Sequence, residues 1–131
     1  MNYIYLLSPI ICVYFISIFY PVTDNAGKNI SFRPPPYVFA IVWPILLLLL
    51  GYSWTLRPNI SYLYILLTIL LSTWLILFSL SKKEAFYELI VTLLLSIFML
   101  FYKYEILSSN LLIPLILWLS FASVLNYYTI Y

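Results

Sequence analysis

Histidine is absent from the 131 residues, which removes the commonest metal ligand and the commonest acid–base catalyst together. The single cysteine, Cys12, sits in an apolar run and so excludes an internal disulfide and any multi-cysteine metal site. Charge is almost as scarce. Only 8% of residues are Asp, Glu, Lys or Arg, and the net charge of +2 comes from cations that are scattered, not gathered in a patch. That balance excludes a nucleic-acid partner.

Hydrophobic residues make up 66% of the chain, more than a soluble domain of this size can hide in a core. The few charges fall in short clusters between long apolar runs, as loops do between membrane spans. Five runs are long enough: Tyr3–Tyr20, Tyr37–Leu56, Ile60–Leu80, Ala85–Tyr102 and Leu111–Tyr128. They are too long and too evenly apolar for alternating barrel strands, so an all-α membrane protein, a five-transmembrane-helix bundle, is predicted. The first run has no basic leader or small-residue cleavage site, and it reads as a retained helix.

Loop two (Arg57 to Asn59) and loop three (Ser81 to Glu84) are so short that their flanking helices are expected to be antiparallel neighbours. Loops one and three hold Lys28, Arg33, Lys82 and Lys83, against Arg57 and Lys103 in loops two and four; this bias favours loops one and three in the cytoplasm. Tyrosines at the span ends, among them Tyr3, Tyr5, Tyr20, Tyr37, Tyr62, Tyr102, Tyr104, Tyr127 and Tyr128, read as interfacial anchors. The N-x-S sequons at Asn29 and Asn59 lie in loops on opposite faces and read as chance. Thr68, Ser72, Ser96 and Ser120 are too sparse for a polar conduit and are expected to bond to backbone. Thr68 and Ser72 also form a small-xxx-small pair, which predicts a homodimer contact on the third helix. Glu88 is expected to favour its helix N-terminus or to pair with Lys82 or Lys83.

The second span is unusual in opening on Pro34, Pro35 and Pro36, which can deliver a rigid, extended chain into a helix start. Beyond them Phe39, Trp43, Leu47, Leu50 and Trp54 fall on one helical face. In the fifth span Pro114, Trp118, Phe121, Ala122 and Leu125 share a face, with Asn126 beyond. Indoles placed mid-span, as Trp43, Trp74 and Trp118 are, must find a partner inside the bundle or on a ligand. Aromatic stripes at helical spacing are more often packing than pocket, so the pattern alone favours packing.

The order of residues is more specific. PPPYVFAIVWPILLLLLGYSW resembles the second-helix signature of the TspO/MBR family, the tryptophan-rich sensory and translocator proteins, through Pro34, Pro35, Tyr37, Val38, Val42, Trp43, Gly51 and Tyr52. LLIPLILWLSFASVLNYY is similar to its fifth-helix signature through Pro114, Trp118, Phe121, Leu125, Asn126 and Tyr127. Trp74 falls at the family's third-helix tryptophan and Glu88 near its fourth-helix aspartate, so one TspO/MBR-like transmembrane domain over residues 1–131 is implied.

The resemblance implies an often dimeric bundle that binds porphyrins and hydrophobic drugs, with sterol binding in animal members. The ligand site it implies comprises Phe39, Ala40, Trp43, Trp74, Trp118, Phe121, Ala122, Leu125 and Asn126, with Arg33 available to a propionate at the mouth. Leu67 and Leu71 stand where many members have Gln and Asn, loop one is shortened, and no basic residue follows Tyr127 and Tyr128 to complete the proposed sterol motif. The expected function is membrane binding of porphyrin- or haem-like tetrapyrroles, other hydrophobic small molecules or membrane lipid, as a homodimer without a required cofactor, catalytic residue or metal. The alternatives are an enzyme that degrades the bound porphyrin and a lipid or sterol transporter. The resemblance implies a multi-pass membrane protein, in the mitochondrial outer membrane of a eukaryotic host.

Overall fold

The computed structural model describes residues 3–20, 34 and 36–130. All regular structure among them is helical: α1 (Tyr3–Phe19), α2 (Pro36–Leu56), a 3-10 turn (Pro58–Ile60), α3 (Ser61–Leu80), α4 (Lys82–Phe101), the short α5 (Ile106–Asn110) and α6 (Ile113–Ile130). The five expected runs thus all form helices. By length and composition α2, α3 with its preceding turn, α4, and α5 with α6 can each cross a membrane. Helix α1, at 17 residues, reaches only about 25 Å at 1.5 Å per residue.

The ends follow local chemistry. Pro36 opens α2, where its missing N–H is no loss. Ser81 both closes α3, its N–H donating to the Leu77 carbonyl at 2.6 Å, and caps α4 by accepting from the Glu84 N–H. Loop three is therefore a single-residue pivot, and α3 and α4 pack side by side as expected. The sequence reading missed α5. Its N-cap Glu105 accepts from the N–H groups of Leu107 and Ser108, and the Ser109 hydroxyl accepts from the Glu105 N–H in return.

Loop two corrects an expectation. Helices α2 and α3 are not close neighbours along their lengths and meet only near their shared turn, because α1 packs on both of them. Gly51 makes this wedge possible, since a Cβ there would collide with the backbone of Leu6. Tyr5 then lies flat on Trp54 with centroids 4.8 Å apart, and Trp54 on Tyr64 at 5.8 Å, so three helices are joined by one stack of rings. Tyr5, expected as an interfacial anchor, also packs its ring inside the bundle. Around the bundle the order is α2, α1, α3, α4, α6, and α6 returns to α2 with far fewer close approaches than the other neighbours make. That loose joint is the α2–α6 seam.

Leucines dominate the interior, with Leu47, Leu50, Leu67, Leu112, Leu115 and Leu119 among the fully enclosed. The outer surface is apolar too, bearing Ile4, Ile11, Ile41, Leu94 and Leu117, as a hydrocarbon solvent requires. Thr68, Ser72, Ser96 and Ser120 each donate to the carbonyl four residues back in their own helices. Thr68 and Ser72 are also buried, at 5% and 8% exposure. Their small-xxx-small pair faces the interior of the bundle, so it offers no surface for the homodimer contact expected there.

Arg57, counted as a loop residue from the sequence, is 2% exposed. It sits just past the end of α2 and turns inward. Its guanidinium donates to the Met99 and Tyr102 carbonyls at 3.0 Å, to the Ser108 hydroxyl at 2.7 Å and to the Tyr64 hydroxyl at 2.9 and 3.1 Å. Ser53 completes the cluster by contacting Tyr64 and Ser108. The positive charge faces the carbonyl end of α4, the negative pole of that helix. One side chain thus fastens four helices at the end of the bundle away from loop one.

Candidate functional site

The other end of the seam carries the aromatic residues singled out from the sequence. Phe39 and Trp43 lie one turn apart near the start of α2, while Trp118 and Phe121 project from α6. Trp118 is the hub. Its ring meets Phe39 edge-to-face at 5.5 Å, Trp43 edge-to-face at 6.2 Å and Phe121 at 5.6 Å. Side chains, not close backbone packing, bridge the seam there, and the rings are only partly buried.

The Trp118 Nε1 is enclosed and has no hydrogen-bond partner. A buried N–H left unmet costs about 1–3 kcal/mol. The faces of neighbouring rings are weak acceptors and offset only a small part of that. By contrast the Trp54 indole donates to Ser61 at 2.8 Å and the Trp74 indole to the Asn126 carbonyl oxygen at 3.0 Å.

Trp74 and Asn126 form a second unit. The Asn126 side-chain amide also donates to the Lys82 carbonyl at 3.1 Å, so one side chain ties α3, α6 and the start of α4 together. Phe78 lies tilted against Trp74 with ring centres 4.8 Å apart, and the Lys82 ammonium lies 5.1 Å from the Phe78 ring centre. Trp74 can offer a ligand its ring but not its N–H. Asn126→Leu is expected to destabilise the protein by about 1–3 kcal/mol, because it orphans the Trp74 indole. A thermal melt in detergent checks this, and an unchanged midpoint would show that the chain of bonds is not held in solution.

Of the other residues expected at the site, Leu125 is buried, Ala122 is half-buried beside Phe121, and Ala40 is exposed. Leu67 and Leu71 are buried in α3. Arg33 and the rest of loop one lie outside the described residues. Glu88 forms no ion pair with Lys82 or Lys83, contrary to expectation: Oε1 accepts from the Thr92 hydroxyl at 3.1 Å and Oε2 is buried without a partner. The side chain lies a turn and a half into α4, beyond the first-turn amides that a carboxylate can cap. No cluster of three or more metal-ligating side chains occurs among the described residues.

Sequence reasoning missed the Arg57 cluster, and the available signal was faint: an arginine flanked by a span and a Pro-Asn turn usually faces water. A model of the TspO/MBR family matches residues 6–131, nearly the entire chain. No curated protein matches it individually.

Proposed function

The chain belongs to the TspO/MBR family, and from that premise we propose that it binds a tetrapyrrole of the porphyrin or haem type between α2 and α6. The observation that carries this reading is the four-ring cluster of Phe39, Trp43, Trp118 and Phe121 across the most loosely packed joint of the bundle. The rings span a joint that lacks close backbone packing, and a planar macrocycle offers them two flat apolar faces. Driving force comes from burial of the ring, in a site with few polar groups. Other flat hydrophobic molecules, and lipid entering from the bilayer, compete for the same surface.

The residues present fit the macrocycle better than the metal. The chain has no histidine, and Cys12 is exposed on α1, which does not form the seam. The tetrapyrrole is a ligand and not a cofactor needed for folding. A homodimer of this chain uses outward surface other than the buried Thr68 and Ser72.

Titration of the detergent-solubilised protein with protoporphyrin IX should quench tryptophan fluorescence saturably. Trp43→Ala or Trp118→Ala should weaken binding about tenfold or more, equivalent to about 1.4 kcal/mol. Trp54→Phe, at the far end of α2, should stay within about twofold, under half a kcal/mol. Haem and the metal-free ring should bind within about tenfold of each other, since burial is indifferent to iron. Equal affinity in all three variants would remove the site from the seam. Sustained Trp43-dependent formation of a new chromophore in light and air would favour the degrading enzyme instead.

A further inference from the structure

Of the described carboxylates, Glu84 is exposed in the first turn of α4 and Glu105 caps α5, so only Glu88 stands within a span. It lies about 9 Å along α4 from Lys82 at 1.5 Å per residue, on a helix that packs against α3 and α6. An ionisable group at such a depth is expensive and marks a functional site. Its hydrogen bonds say which form it takes. Thr92 Oγ1 lies 2.9 Å from the Glu88 main-chain carbonyl oxygen and 3.1 Å from Oε1. A threonine hydroxyl has one proton to donate and two lone pairs with which to accept. Drawn with a bare carboxylate, both neighbours are acceptors competing for that one proton, and the buried Oε2 carries negative charge with no donor at all. A proton on Oε1 completes both contacts: the carboxyl O–H donates to Thr92 Oγ1, and the Thr92 hydroxyl donates to the main-chain carbonyl. Oε2 is then a neutral carbonyl oxygen, whose unmet acceptor costs far less than an unmet anion.

We propose that Glu88 is a proton-binding site inside the membrane span, with Thr92 as the residue that accepts the hydrogen bond of its carboxyl. This inference does not rest on the tetrapyrrole reading, and it concerns α4, not the α2–α6 seam. The other titratable groups on α4 near it, Lys82, Lys83, Glu84 and Tyr87, are exposed. Helix α3 brings Tyr62 and Tyr64, both near its start at the opposite end of the bundle, where Arg57 and Glu105 also lie. Helix α6 brings Tyr127, against Phe86, and Tyr128. Asp24, Lys28 and Arg33 of loop one lie outside the described residues. A loop-one cation seated at Glu88 would leave the carboxyl ionised, which the test detects.

The test is infrared spectroscopy of the protein in lipid nanodiscs without porphyrin. At neutral pH the wild type should show the C=O stretch of an un-ionised carboxylic acid, shifted in heavy water, and Glu88→Gln should abolish it. Thr92→Val, which keeps the shape and removes the hydroxyl, should shift the band without abolishing it. Raising the pH should remove the band reversibly as the site gives up its proton. Dicyclohexylcarbodiimide, which enters from the lipid, gives a second readout. The carboxyl O–H adds across one C=N bond with its proton passing to one nitrogen, and migration of the acyl group from oxygen to the other nitrogen leaves an N-acylurea with nothing released. Mass spectrometry should find this adduct forming on Glu88 about tenfold faster than on Glu84 or Glu105.

Should Glu88→Gln not fold, the labelling decides, because it identifies the residue in the wild-type protein without a substitution. An acid band absent at neutral pH, or one that survives Glu88→Gln, would show that Glu88 is an ionised carboxylate, and the proposal fails. Labelling that favours Glu84 or Glu105 has the same meaning. A band untouched by Thr92→Val would overturn the hydrogen bond on which the assignment stands. None of these results bears on porphyrin binding, which is measured separately.

Discussion

Arg57→Met is expected to destabilise the protein by about 2–5 kcal/mol, although methionine approximates the volume of the arginine and suits an apolar setting better. Exchanging a buried ion pair for hydrophobic residues can be neutral, because both charges disappear together. Arg57 is a different case, since its partners are neutral and stay behind: the Met99 and Tyr102 carbonyls and the Tyr64 and Ser108 hydroxyls. The two hydroxyls can turn to each other and to Ser53, which already lies within hydrogen-bond distance of both. The carbonyls have no such recourse. Lys103, at φ 46°, turns the chain out of the helix just where its N–H would otherwise return to Met99. Arg57→Lys should recover part of the loss, because an ammonium restores charge at the negative pole of α4 but cannot reach both carbonyls with a rigid fork. Thermal melts of the three proteins in one detergent test the order wild type, lysine, methionine. The nearest ring of the cluster on α2, Trp43, lies about 21 Å along the helix at 1.5 Å per residue, so porphyrin affinity of the folded variants should be unchanged. A methionine variant as stable as wild type would mean that water reaches the carbonyls and the clamp is dispensable.

What the sequence made legible, and what it did not, divides along a physical line. The helices were plain because runs of twenty apolar residues have few other ways to satisfy their backbone in lipid. The separate aromatic faces, Phe39 with Trp43 and Trp118 with Phe121, were visible because bulky rings at four- and three-residue spacing mark a face whatever the solvent, but that the two faces meet was implied only by the family resemblance. Azimuth was otherwise hidden. When leucine and isoleucine cover all sides of a helix, amphipathicity no longer tells the interior from the lipid, and Thr68 and Ser72 were accordingly assigned outward when they point in. Partners far apart in sequence were equally hidden: nothing local shows that the Trp74 indole is engaged by Asn126, 52 residues away. Arg57 was misread for a related reason. Hydropathy treats an arginine one step beyond a span as the beginning of a loop, whereas the open carbonyls at the end of another helix can draw it inward.

Gly51→Ala sets helix propensity against packing, and the two disagree in sign. In a mid-helix position alanine is favoured over glycine by about 1 kcal/mol, so propensity alone predicts a more stable protein. Packing predicts the reverse. A Cβ on Gly51 would lie 2.6 Å from the Leu6 carbonyl carbon and 2.9 Å from its Cα, with the carbonyl oxygen nearer still. These are backbone atoms in the middle of a helical turn, and they cannot rotate away as the tip of a side chain can. Helix α1 as a whole must shift, and the Tyr5–Trp54 stack beside the crossing moves with it. Overpacking of this kind costs about 1–3 kcal/mol, and loss of an aromatic pair adds about 0.5–1.5 kcal/mol. The net expectation is destabilisation by about 1–3 kcal/mol, the overpacking and ring terms outweighing the propensity gain. Gly51→Val, with its branched Cβ, should do worse and release α1 to limited proteolysis. A companion variant separates the mechanism from ordinary side-chain crowding: Leu6→Ala should not rescue Gly51→Ala, because the collision is with the main chain. A higher melting temperature for Gly51→Ala than for the wild type would show that α1 does not cross α2 at this glycine.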